Sequence, residues 1–193
     1  MAMEALKQFN WVDIFSIILF LRICYVATKT GLPVEIFKLL GTLLATYAAL
    51  HYFTAVSDLF GGKVNIEKMS LEFRDFLAFL VLASAGYIFM VLVRMVFFQF
   101  IKIEAVSLLN KWGGFILGLG RGLLLTSIAV FGLTISTLPY LKTSVEKSYL
   151  GGRIFQVAPA TYTSLWNNLG AKFLPKETFN KVVYEVEANV TRQ

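Results

Sequence analysis

Four long apolar stretches, at residues 12–28, 34–56, 76–101 and 114–138, constrain this chain more than any other feature. A helix needs about 20 mostly apolar residues to cross a bilayer's hydrocarbon core. There it must satisfy every backbone N–H and C=O internally. Composition points the same way. Hydrophobic residues make up 57% of the chain, including 18 phenylalanines, and charged residues only 16%, against about 25% in ordinary globular domains. A soluble core of this size could not enclose so much apolar surface. The expected fold is therefore all-α, a polytopic transmembrane bundle of about four helices spanning 1–139. An amphipathic helical tail, 140–193, follows as an extramembrane or membrane-surface unit.

The connections differ in character. The Lys29–Pro33 turn, KTGLP, is expected to make a helical hairpin of the first two spans. Gly61 and Gly62 read as a turn after the second span, and Ser70 as the N-cap of the third. The segment 102–113 is half apolar and suits the membrane surface. Pro139 is expected to stop the fourth span. In the tail, Leu165, Leu169 and Phe173 recur every four residues beside Trp166, an apolar stripe that rests on headgroups or docks on the bundle. A second short helix is expected over residues 177–190. The opening MAMEALKQFN has no signal-peptide character, so the first apolar stretch is expected to be retained as a span.

Small residues suggest how the spans meet. Lipid supplies no hydrophobic force between helices, so close backbone approach supplies the attraction. Gly114, Gly118 and Gly122 lie four apart on one face of the fourth span. Gly41, Ala45 and Ala49 form a matching stripe on the second, and Ala83–Gly86 a small cluster on the third. Packing is the plain role, with a hinge or a homodimer face as alternatives.

Arginine at the centre of a span costs roughly 2.5 to 3.5 kcal/mol. Arg22, Arg94 and Arg121 each fall about 10 Å in from the same membrane side, opposite the termini. Either they snorkel to headgroup phosphates, or they form a buried polar layer. Arg121 borders the glycine face and points partly inward. Glu35, in the first turn of the second span where the helix dipole favours a carboxylate, and Glu104 lie on that same side. The expected intramembrane polar cluster is therefore Arg22, Glu35, Arg94, Glu104 and Arg121, with either glutamate as partner to Arg121.

The remaining chemistry is sparse. His51 is the single histidine, set among Tyr47, Tyr52 and Phe53, and reads as a hydrogen-bonded packing residue; Cys24 is the single cysteine. No HExxH, GxSxG or P-loop motif occurs, so no enzyme, cofactor or metal is expected. The net charge of +6 comes from scattered cations, so nucleic acid is not an expected partner; the lipid bilayer is. Loop cations divide evenly between the two membrane sides and leave orientation open.

Two segments resemble a known family. Gly31-Leu32-Pro33-Val34-Glu35, followed by Leu39 and Gly41, is similar to the turn after the first span in the colicin V production proteins of bacterial inner membranes. Asn110-Lys111-Trp112-Gly113-Gly114, then Gly118 and Arg121-Gly122, resembles the start of that family's last span. Thr30 and Asn110 depart from the family's usual basic residue and carboxylate. The resemblance covers residues 9–138, and more loosely 148–169. It implies an inner-membrane accessory protein supporting toxin production or export and envelope homeostasis, with a homo-oligomer or secretion and envelope proteins as partners. The alternative from the residues themselves is a small oligomeric channel or anion-transport module lined by the arginines.

Overall fold

The computed structural model describes residues 9–63, 70–101 and 107–191. Four long helices come first: α1 (Trp11–Thr30), α2 (Leu32–Lys63), α3 (Leu71–Phe100) and α4 (Ser107–Ile135). All four are long and apolar enough to cross a membrane. The tail holds α5 (Pro139–Glu146), α6 (Gly151–Phe155), α7 (Val157–Leu165), a π-helical turn (Trp166–Gly170), α8 (Ala171–Phe173) and α9 (Val182–Thr191). No strand occurs among the described residues.

Helix ends follow capping chemistry rather than the hydrocarbon edge. Asn10 caps α1, its side chain accepting from Val12 N at 2.8 Å, and Ser70 caps α3 by accepting from Phe73 N. Gly61 and Gly62 do not form a turn, because α2 runs through them to Lys63. The Arg74 guanidinium lies over Gly61, where a side chain would collide with it. Ser107–Trp112 belongs to α4, so half of the expected surface linker is helix; residues 102–106 lie outside the described ones. α4 ends at Ile135, and Pro139 opens α5 from its first turn, where its missing N–H costs nothing. Gly31 alone separates α1 from α2. Its φ of +78° is one that side chains rarely adopt, and Asn110 of α4 accepts from Leu32 N at 2.7 Å to pin the turn.

α1 and α2 hardly touch despite that turn, which corrects the expected hairpin. α1 packs on α4, α2 packs on α3, and α4 also packs on α2. The lateral order is therefore α1, α4, α2, α3. Two small-residue seams explain it. A Cβ on Gly114 would lie 3.0 Å from Ala27 O, one on Gly118 would overlap Ala27 Cβ, and one on Gly122 would lie 3.0 Å from Phe20. The glycine face of α4 is thus filled by α1. The α2 stripe turns the other way: Gly41 meets Met90, and Gly86 of α3 meets the Ala45 backbone. The two stripes match each other in sequence yet serve different seams.

α3 buries only Ala78, Phe79 and Gly86. It presents Val81, Ile88, Phe89, Leu92, Met95 and Val96 outward, a lipid-facing surface far beyond what water-exposed proteins show.

The tail is built into the bundle at the end where the chain begins. Phe155, Ala158 and Tyr162 are fully buried and share one apolar core with Val12, Phe53, Phe79 and Phe131. Phe131 stacks on Phe155 at 5.4 Å. Two polar ties fix it. Asp13, fully buried, accepts from Ser148 Oγ at 2.6 Å and Leu150 N at 2.7 Å. Ser127 of α4 fills the break between α6 and α7, donating to Phe155 O at 2.9 Å and accepting from Ala158 N at 2.7 Å. Ser127→Ala orphans two buried backbone groups and will cost about 2 kcal/mol, read as a lower melting temperature and faster proteolysis of the tail. Its neighbour Thr126 is equally buried but its hydroxyl makes no hydrogen bond, so Thr126→Val will leave both readouts unchanged or improved.

Candidate functional site

The first polar site lies where α2 and α4 meet beside the Gly31 turn. Glu35 sits in the first turn of α2, its backbone N–H bonded to Gly31 O at 3.1 Å, and its side chain is fully buried. On α4, Arg121 follows the Gly118 face by one step, and helical side chains lean toward the helix N-terminus. That lean carries its guanidinium up toward the turn. Nε stands 2.9 Å from Glu35 Oε2 with its N–H off the oxygen axis, so this is a charge contact rather than a linear hydrogen bond. Glu35 Oε1 accepts from Lys38 Nζ at 2.8 Å and from the Thr30 hydroxyl. Lys38 also reaches Thr30 Oγ1 at 3.2 Å. One carboxylate thus ties α1, α2 and α4 together.

The three arginines do not form one layer. Arg22 is exposed and Arg94 half-buried, while Arg121 is only 4% exposed. No ion pair joins Arg22 or Arg94 to another described residue. Arg94 lies beside Lys38, Tyr87 and Met90 in a notch with no room for a water molecule. Glu104 lies outside the described residues. Lys38, the second cation on Glu35, escapes a sequence-level search because it looks like an ordinary cation near a helix end.

A second polar cluster joins α2 to the tail. His51 Nδ1 is 2.8 Å from Tyr162 Oη, and Nε2 is 2.8 Å from Glu177 Oε2. Asn180 N donates to Tyr162 Oη at 3.1 Å. That direction leaves Tyr162 to donate to Nδ1 and the Nε2–H to donate to Glu177, the tautomer in which every group is satisfied. Tyr52 Oη completes the carboxylate at 2.8 and 2.9 Å. The imidazole is sandwiched between Tyr47 and Trp166, each centroid 5.1 Å away and tilted by 13° and 21°. Burial pushes the Tyr162 hydroxyl up to about 12, so it remains a donor at neutral pH. Glu177 is held below the ordinary carboxylate value of 4.5 by the Tyr52 hydrogen bond first and by His51 second.

A lowered carboxylate value stabilises the docked tail above the unfolded value and stops doing so as pH falls through the docked one. The grip of the Glu177 segment on α2, followed by Trp166 fluorescence, is therefore expected to weaken as pH falls below the ordinary carboxylate value, while the buried core keeps the tail in place. Glu177→Gln will lose this acid dependence.

Among the described residues, no three His, Cys, Asp or Glu side chains come together in a way that could hold a metal. Cys24 is a buried free thiol.

With this geometry in place, a family model described as Colicin V production protein matches residues 12–159. The chain belongs to the colicin V production protein family. No match was found among curated proteins or solved structures. Membership supports a role in colicin V production, and with four apolar helices it marks a membrane protein. The part of the chain shared with the colicin V production family contains the Gly31 turn, the Glu35–Lys38–Arg121 cluster, the α4 glycine seam and Ser127. It stops before Tyr162, Trp166, Glu177 and Asn180, so the His51 cluster draws its partners from beyond the matched segment.

Proposed function

We propose that this chain is a non-enzymatic, multi-pass accessory protein of the bacterial inner membrane, supporting toxin production and export and envelope homeostasis. One observation carries this: the intramembrane charges inside the bundle are sealed. Glu35 is fully buried and Arg121 nearly so, and their opposite charges face each other at 2.9 Å across the α2–α4 contact. A transport site must exchange its ion or solute with water, whereas an ion pair buried away from water holds helices in register. The partners of such a protein are secretion and envelope proteins, or a second copy of itself, within the bilayer.

Expression in a bacterium lacking its own colicin V production protein is the test. Toxin released into the medium should return to the parental level, and proteoliposomes holding the purified chain should pass ions and small anions no faster than empty ones. Failure to restore toxin release while the chain accumulates in the inner membrane would refute the assignment. So would flux that changes on substituting Arg121.

A further inference from the structure

At the end of the bundle where the chain begins, α3, α4, α5 and α9 meet around a cavity of about 390 Å³, within the range of small-molecule sites. Glu72 and Asp75 line it from the first turns of α3, and Lys142 lines it from α5. Phe53, Ile135 and Val186 supply apolar lining beside them.

The charged groups are what this cavity offers a ligand. The hydroxyls of Thr134 and Ser136 also line it, but they are spent on Val130 O at 3.0 Å and Leu133 O at 2.7 Å. That of Thr137 is buried. Glu72 and Asp75 are three residues apart and so share a helix face. Neither forms an ion pair with Lys142 or with any other described residue. Ser57 Oγ stands close to Asp75 without a well-aligned hydrogen bond. The charges of Arg74 and Asp58 act on Asp75 with opposite signs, and Arg74 is turned toward Gly61. Asp75 and Lys142 are both half-buried, so each has lost part of its water and taken no counter-charge in return. Two negative groups and one positive thus border one space, too far apart to pair. A simple cation placed there leaves Lys142 unmatched, and a simple anion meets the two carboxylates. A ligand carrying both charges neutralises both sides at once.

We propose that this cavity binds a small zwitterion, a primary amine joined to a carboxylate or phosphate. Its ammonium lies between Glu72 and Asp75, its anionic group meets Lys142, and its carbon skeleton rests on Phe53, Ile135 and Val186. A free amino acid and the phosphoethanolamine headgroup of a bilayer lipid both have this chemistry. Glu72 is exposed in the first turn of α3, so the cavity opens at the end of the bundle, within reach of either source. This does not rest on the accessory function, and binding here leaves Glu35 and Arg121 sealed.

The test is calorimetric titration of the full chain in phosphatidylglycerol nanodiscs, whose lipid has no ammonium. The probes are leucine and phosphoethanolamine. Each is compared with its two halves: leucinamide and N-acetylleucine for the first, ethanolamine and inorganic phosphate for the second. At least one probe should bind, and its halves should bind about tenfold more weakly, each having lost one charged hydrogen-bonding partner. Lys142→Gln should erase the probe's advantage over its cationic half. Glu72→Gln with Asp75→Asn should erase its advantage over the anionic half. Each variant should keep the other advantage, which a misfolded chain would not. Leucine binding assigns a free solute as the source, and binding of phosphoethanolamine alone assigns the lipid headgroup. No heat with either probe, or advantages that survive these substitutions, would overturn the proposal.

Discussion

Arg121→Leu will lower stability by about 3 to 5 kcal/mol and sharply reduce the amount of chain that accumulates in membranes. The reason is the group left behind. Glu35 is fully buried, and removing the guanidinium 2.9 Å from it strands a carboxylate between helices. Lys38 and Thr30 still hold Oε1, which sets the effect nearer the lower figure. The double variant Arg121→Leu with Glu35→Gln removes the stranded charge and should recover much of the loss. Melting temperature in detergent and membrane yield, measured on both, check the claim. An unrecovered double variant would show that Arg121 acts through its bulk rather than its charge.

The second large effect is steric. Gly118→Leu will cost at least the roughly 3 kcal/mol that marks the upper range of overpacking, because even a single Cβ there would fall 2.2 Å from Ala27 Cβ. Both atoms are fixed to helical backbone, so neither can rotate away, and α1 must separate from α4. Gly118→Ala alone should already destabilise the chain, and Ala27→Gly should repair it by vacating the same space. Gly120 supplies the comparison. A Cβ there meets nothing within 4 Å, so Gly120→Ala should be neutral or favourable, since alanine suits a helix better. Melting temperatures of the four variants decide this, and equal losses at positions 118 and 120 would refute the seam.

What the residues foretell depends on the range of the force involved. The spans are legible because hydrocarbon imposes a length and a composition on each helix separately. Their ends are less so, since α2 and α4 continue past the apolar stretch through Gly62–Lys63 and Ser107–Trp112, where helix capping and neighbour packing take over. The glycine stripes are visible in sequence, but spacing on one helix does not name the helix opposite. Hence α4 meets α1 while α2 meets α3. Following the chain from side to side of the bilayer places Glu35 and Arg121 at one end of the bundle. Rotation about the helix axis then separates Arg121, turned inward, from Arg22, turned out, and depth alone does not reveal it. The His51–Glu177 contact joins residues 126 apart, and no local pattern marks either of them. Asp13 is similar. A carboxylate in the first turn of an apolar helix looks like dipole compensation, and only the folded tail shows that it holds Ser148 and Leu150.

The insertion of α4 between α1 and α2 dictates a sequence of events during biosynthesis. These two helices emerge first and are joined by one residue, yet the partner that buries them both is made on the order of ten seconds later at ordinary ribosome speeds. During that wait the nascent helices have no finished contact with each other, and Glu35 has only Lys38 and Thr30 for company. Completion of the last long helix is thus the event that closes the bundle. A ribosome halted before Gly114 should leave α1 and α2 free to be crosslinked by neighbouring membrane proteins, and one halted after the tail should not.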